Sequence, residues 1–318
     1  MTKSSSCTSI ETHLIAAASG EAAALIAERV AKHVDHCEPC RDDYERYRIV
    51  DAVVGELRKA AAPVTDATRE RLLGRLSDLR SRLVRYGVFA SPFGPILIAA
   101  TEQGVCLVEY LSRHGAAGSW LLGQPKLEAH RDGAALERFH RELIDYLAGG
   151  RTRLEWPLDL RFARSDFQRA VLRATAGVPY GGVSSYAGVA RDIGKPAAVR
   201  AVAQALRRNP VPIVVPCHRI IGSGGSLVGY AGNRVGLKAR LLGVEGVRLA
   251  HRRRDTEIDR AAMYAWDRSC REYCLPTCGD ISERPIGLVM LLASPREAAA
   301  IGLTPCSDCR PDLHPLAR

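Results

Sequence analysis

"NPVPIVVPCHRIIGSGG", residues 209–225, sets a cysteine after a proline at the end of a β-branched run, then histidine, arginine and a glycine-rich turn. β-branched residues favour extended backbone and glycines favour turns, so Cys217 is expected where a strand-like run gives way to a tight bend. A protonated thiol is a poor nucleophile, and neighbouring cations favour the thiolate. His218 and Arg219 are the residues expected to supply that bias. A Cys-His protease dyad is disfavoured, because its members normally lie far apart in sequence.

Working outward, "SDFQRAVLRATAGV" has Ser165 as a helix cap, Asp166 in the first turn and a stop at Gly177. "SSYAGVARDIG" and "KPAAVRAVAQALRRN" give two helices joined at Gly194, with Pro196 expected in the first turn of the second. That is a helix-turn-helix pattern. Residues 159–250 hold 14 Lys and Arg against 4 Asp and Glu, while every other segment is balanced to within one charge. The excess of +10 is therefore local and points to a polyanionic partner.

Before this region, "YGVFASPFG" and "PILIAATEQGVCLVEYL" read as short strands broken by turns, and "GAALERFHRELIDYLAGG" reads as a helix closed by Gly149 and Gly150. Residues 8–60 are helical in pattern up to Pro63, and 64–83 form a charged linking helix. "HRRRD" at 251–255 reads as a linker.

A chain of 318 residues is long for one core, so several modules are expected. The longest apolar stretch near the C-terminus, from Ile286, is far short of the roughly 20 residues that span a bilayer, so no membrane association is expected. The N-terminal residues lack an apolar signal region, which leads us to expect a cytoplasmic protein. Ten cysteines in such a chain are not expected to form a disulfide framework. Cys106 fits a buried strand position, and Cys270 has no evident partner.

Seven cysteines fall into two spaced groups. His33, Cys37 and Cys40 in "HVDHCEPC" bring three ligands close together, with Cys7 as the fourth and His13 and His36 as rivals. Cys274, Cys278, Cys306 and Cys309 form a four-thiolate set. Both are expected to hold structural zinc, with no organic cofactor.

From Phe167 to Gly246 the sequence resembles the O6-alkylguanine-DNA alkyltransferase family, whose hallmark is Pro-Cys-His-Arg. The preceding "SPFGPILIAATEQGVCLVEY" is similar to that family's ribonuclease-H-like half. The resemblance implies single-turnover repair: the Cys217 thiolate takes the alkyl group from guanine O6, and from thymine O4, as a thioether. It makes His218 the base, relayed to Glu245, and Tyr186 the donor to the departing O6, and it has Asn209 brace the turn. It also implies minor-groove binding of double-stranded DNA carrying alkylated bases. Arg200 would fill the vacated stack, with Ala201 and Arg219 among the DNA-contacting positions and Tyr230 on the loop closing the base pocket. Gly229, Ala231 and Gly232 would leave room for base and alkyl group; Ala231 stands where the family often has serine.

The N-terminal cluster is similar to the zinc finger of bacterial anti-sigma factors, which makes a sigma factor a candidate partner. "SPREAAAIGLTPCSDCRPD" resembles the zinc domain of the adaptive-response protein, where the first cysteine, matched by Cys274, accepts methyl from a phosphotriester. Here "EIDRAAMYAWDRSCREY" replaces the strand-rich stretch expected before that cysteine.

The expected architecture is α/β multidomain. A helical zinc finger takes 1–62, a linker helix 63–83, and a ribonuclease-H-like module 84–158. A helical, winged helix-turn-helix alkyltransferase domain takes 159–250, and a partial four-cysteine zinc domain 251–318. Two other readings stay open: a damage sensor that flips the base without chemistry, disfavoured by the presence of Cys217, and an alkylation- or redox-responsive regulator of a sigma factor.

Overall fold

The computed structural model describes residues 5–60, 65–111, 127–230, 234–251 and 255–317. They form two compact units, 1–75 and 76–318. No helix among the described residues is long and apolar enough to cross a membrane.

In the first unit, α1 (Ser5–Ala18), α2 (Ala24–His36) and α3 (Glu38–Ala60) enclose a small core of Ile10, Leu14, Val30 and Val34 together with Cys7 and Cys40. Extended backbone at Cys37 separates α2 from α3, and the Arg41 side chain donates to the Val34 carbonyl at 2.9 Å, satisfying a helix-end acceptor. A further helix, α4 (Asp66–Arg82), buries no side chain.

The first sheet of the second unit holds β1 (Leu83–Phe89), β2 (Ile96–Thr101), β3 (Gly104–Tyr110) and β4 (Glu128–Arg131), in the order β3-β2-β1-β4. The continuous apolar run of β2 is explained by burial on both faces. Ile96 and Ile98 join one core while Leu97 and Ala99, pointing the other way, join another. The helix α5 (Gly133–Leu147), capped by Asp132, lays Leu136, Leu143, Tyr146 and Leu147 into the first of these cores.

Next come α6 (Asp166–Ala176), β5 (Gly182–Ser185), α7 (Tyr186–Asp192), α8 (Val199–Arg207), a three-residue 3-10 turn at Cys217–Arg219, β6 (Ile220–Ile221) and α9 (Val235–Val244). Ser165 caps α6 through the Gln168 amide, and Gly177 ends it. Pro196 does not enter α8; residues 195–198 form a turn, and the helix begins at Val199.

The C-terminal segment departs from the sequence reading. β7 (Leu249–His251) and β8 (Thr256–Ile258) pair antiparallel, so the residues flanking "HRRRD" are arms of a hairpin rather than ends of a linker; 252–254 lie outside the described residues. "EIDRAAMYAWDRSCREY" holds strands: β8, β9 (Tyr264–Trp266) and β10 (Glu272–Cys274). Strands of three residues are too short to show an alternating pattern, and tertiary pairing makes them. α10 (Gly279–Ser282), β11 (Met290–Leu292), α11 (Pro295–Ala300) and β12 (Thr304–Pro305) complete the chain. One sheet, β12-β10-β9-β11-β5-β6, runs from this segment into the strands beside Cys217.

Candidate active site

The 209–217 segment is a braced loop. Asn209 donates from Nδ2 to the Val215 carbonyl at 2.9 Å and accepts the Val211 amide at 3.0 Å, so one side chain closes both ends. The Pro210 carbonyl accepts the Val108 amide at 2.8 Å and ties the loop to β3. Within it Ile213 has φ 75°, a conformation costly for a β-branched residue and held by the tight bend around it.

The same Asn209 Nδ2 points a donor at Cys217 Sγ, 3.1 Å away. Burial pushes the Cys217 thiol up, while the Asn209 donor and then the Lys238 charge pull against it; the net direction is up. At rest the group is therefore a thiol, and it needs a base.

Successive residues of a 3-10 turn point about 120° apart, so Cys217, His218 and Arg219 face three different surroundings. His218 is fully buried and its Nε2 lies 2.6 Å from Glu245 Oε1. Burial holds His218 below its ordinary value, against the pull of Glu245, so the imidazole is neutral. Nε2 then carries the hydrogen donated to the carboxylate, and Nδ1 presents a lone pair. Nδ1 is buried without a hydrogen-bond partner among the described residues.

Arg219 turns away from the sulfur into the core. It is 6% exposed, and its guanidinium donates to Glu245 at 2.8 and 3.2 Å, to the Val178 carbonyl and to the Tyr146 hydroxyl. Four of the five guanidinium N–H donors are thus engaged within the core. Burial would raise the Glu245 carboxyl, but Arg219 and then His218 outweigh it and bring it to about 2. Tyr146 and the Gly181 amide complete the cage of donors.

The cation that acts on the sulfur is Lys238, on α9, which the sequence reading missed. Its side chain is fully buried, and Nζ donates to the Ile220 and Val228 carbonyls at 2.5 and 3.1 Å. Burial brings it down to about 8, against the opposing pull of Cys217.

Cys217 lines a cavity of ≈650 Å³ together with Tyr186, Tyr230, Gly229, Val228 and Arg200. Burial, and after it the neighbouring Cys217, pushes Tyr186 up to about 12, so its hydroxyl stays a donor; it donates to the Val228 carbonyl at 3.3 Å. Tyr230 is buried with its hydroxyl 3.1 Å from that of Tyr110 on β3, a partner no sequence signal indicated. Ala231 and Gly232 lie outside the described residues. α8 buries Val202, Ala205 and Leu206 and exposes Arg200, Ala201, Gln204 and Arg207. Of these, Arg200, Gln204 and Arg207 reach the cavity mouth. The sequence reading singled out only Arg200 and Ala201 on this helix, although i, i+4, i+7 spacing from Arg200 would have found the others.

Away from the cavity, Cys7, His33, Cys37 and Cys40 bring their ligand atoms within 4.8 Å of one another, as do Cys274, Cys278, Cys306 and Cys309. A tetrahedral ion with metal–sulfur bonds of about 2.3 Å sets sulfurs about 3.8 Å apart, and Cys7 and Cys37 stand 3.7 Å apart. His33 Nε2 is buried with no hydrogen-bond partner among the described residues, as a ligand atom would be, whereas the rival His36 is exposed and bonded to Lys32. Either cluster could hold a metal ion.

The site thus combines a buried thiol, a neutral buried histidine in the same turn, and a cavity lined by arginines of α8. Residues 84–160 match the ribonuclease-like domain of 6-O-methylguanine DNA methyltransferase, and 166–247 match its DNA binding domain. The chain is 38% identical over 165 residues to a methylated-DNA–protein-cysteine methyltransferase of Methanosarcina acetivorans, covering 51% of this chain and 97% of that one. To the constitutive methylated-DNA–protein-cysteine methyltransferase of Bacillus subtilis it is 36% identical over 164 residues, covering 51% and 95%. A crystal structure of Mycobacterium tuberculosis OGT in complex with DNA aligns at 35% identity with a TM-score of 0.43, covering 51% of this chain and 92% of that chain. The chain belongs to the 6-O-methylguanine DNA methyltransferase family.

Proposed function

We propose that the protein repairs DNA by direct reversal, moving a methyl or small alkyl group from guanine O6, and from thymine O4, to Cys217. The observation that carries this is the cavity, which brings the sulfur, two tyrosines and a helix of arginines to one space. A stacked base hides its O6 from a buried sulfur, so the nucleotide must leave the duplex. The match of 166–247 to a DNA binding domain, and the exposed arginines of α8, support DNA entered from the minor groove with Arg200 filling the gap.

In this reading the thiol proton passes through water to His218 Nδ1, and Glu245 stabilises the imidazolium that forms. The sulfur–carbon bond forms as the carbon–O6 bond breaks, and the electron pair leaves with guanine. Tyr186 donates to that oxygen, while Lys238 offsets charge on the sulfur before attack. The thioether has no leaving group, so each molecule acts once.

Zinc is the ion we assign to both cysteine clusters, where it would keep the thiolates ionised and close the chain around them. Neither cluster takes part in transfer to Cys217.

Incubation with a duplex carrying one O6-methylguanine, followed by mass analysis, is expected to add one methyl to the Cys217 peptide, and Cys217→Ser is expected to bind without gaining it. An unmodified Cys217 despite tight binding would overturn the proposal.

A further inference from the structure

The C-terminal segment enters the alkyl-acceptor region at three places. β11 lies along β5, with Leu291 opposite Val183 and Leu292 opposite Gly182, and the Ala293 amide donates to the Gly181 carbonyl at 2.8 Å. β8 holds the loop that follows β6: the Leu227 amide donates to Thr256 at 3.0 Å, and the Ile258 amide to Gly225 at 2.9 Å. Asp192, ending α7, forms an ion pair with Arg268, and Arg191 donates to the Gly287 carbonyl.

Across the sheet, Cys274 faces Ala265, Ala265 faces Leu291, and Leu291 faces Val183. β5 then pairs with β6 through Ser184 and Ile220, the residue directly after the Cys217–Arg219 turn. The side chains agree with the backbone: Cys274, Cys278 and Cys306 share one buried cluster with Val183, Ile221 and Leu242. β11 itself lies in the chain between Cys278 and Cys306, so a metal joining the two cysteine pairs closes a loop around the strand that flanks β5. Closing such a loop removes conformational freedom from the unbound state and turns binding free energy into folding free energy.

We infer that the four-cysteine centre braces the alkyl-acceptor site: its loaded state holds β5, β6 and the 222–228 loop in the arrangement that fixes Cys217, and its loss slackens them and slows transfer. The effect on transfer rests on the proposed function; the effect on the strands does not. The brace differs from a damage-accepting role for Cys274, because it acts through the fold whether or not any of the four thiolates reacts.

The test uses the full chain in three forms: zinc-loaded, stripped by a chelator, and Cys306→Ser. Hydrogen exchange at the Val183, Ile220, Ile221 and Leu227 amides is read beside single-turnover methyl transfer from an O6-methylguanine duplex. Stripped protein and Cys306→Ser are expected to exchange at these amides at least about tenfold faster and to transfer at least about tenfold more slowly. Added zinc is expected to restore the stripped wild type but not Cys306→Ser. Cys270→Ser, which removes an exposed thiol outside both clusters, is expected to change neither readout. Collapse of all of 76–318 in Cys306→Ser also supports the inference, since a separable C-terminal piece would leave the rest protected. Protection and rate both within about twofold of loaded protein, in stripped protein and Cys306→Ser alike, overturn it. If loaded protein transfers no methyl, the proposed function fails, and exchange at the β5 and β6 amides still decides the brace.

Discussion

Replacing Glu245 by glutamine keeps the shape of the side chain and removes its charge. Every group around it donates: His218 Nε2, the Arg219 guanidinium, the Tyr146 hydroxyl and the Gly181 amide. An amide nitrogen brings further donors into that cage and leaves the Arg219 charge buried without its partner. Breaking a buried pair from one side costs about 3–5 kcal/mol. The titration gives a second route to the magnitude. The carboxyl falls from its ordinary 4.5 to about 2 on folding, and at about 1.4 kcal/mol per unit this is ~3 kcal/mol at neutral pH. Because the folded value lies below the unfolded one, that stabilisation is complete above the unfolded pKa and is lost as the pH falls toward about 2. By the same relation it shrinks to about 1 kcal/mol at pH 3. Hydrogen exchange at Ile220 and Ile221 reads the unfolding of this region without requiring the whole chain to unfold in one step. Wild type minus Glu245→Gln is expected to be at least ~3 kcal/mol at pH 7 and to fall by more than half of the titrating part by pH 3. Methyl transfer is expected to slow by about 10²-fold, as the histidine loses the charge that stabilises its imidazolium. A difference under about 1 kcal/mol at pH 7, or one that does not change between pH 7 and pH 3, would refute the reasoning.

Two further substitutions probe the sulfur directly. Asn209→Ala removes the donor at 3.1 Å from Cys217 Sγ and the brace on Val215; transfer is expected to slow by about 10–100-fold and the rate–pH profile to move to higher pH, as the thiolate loses a hydrogen bond. Lys238→Met keeps the buried stem and removes the charge. Transfer at pH 7 is expected to drop by about tenfold, the equivalent of one pK unit at the thiol. As the pH rises through about 8 the wild-type ammonium itself loses its proton, so single-turnover rates of the two proteins should converge there.

The order of helices was legible because it is local. Ser165 and Gly177 bound α6, and the charge excess marks the segment that carries α8. The roles of the cations were not legible, because they depend on direction rather than on sequence distance. Arg219 stands two residues from the sulfur, yet the 3-10 turn sends it to Glu245, while Lys238 arrives from α9 and reads in "VGLKARLLGV" as an ordinary helix lysine. Tyr110 was hidden for a related reason: it meets Tyr230 across 120 positions of sequence. The strands β8 to β10 escaped because three residues are too few to carry a period, and partners far along the chain decide their conformation.

The sheet that crosses from β11 to β5 also means that the limit of family similarity, at residue 247, is not a physical border. A fragment ending there would carry β5 with one side bare and would uncover Val183, Ile221 and Leu242 to water. Unpaired peptide groups beside an oily face are what neighbouring molecules stack upon, so such a fragment should self-associate strand to strand rather than stay monomeric. Dissection of this protein is better guided by its hydrogen-bonded neighbours than by the outline of its relatives.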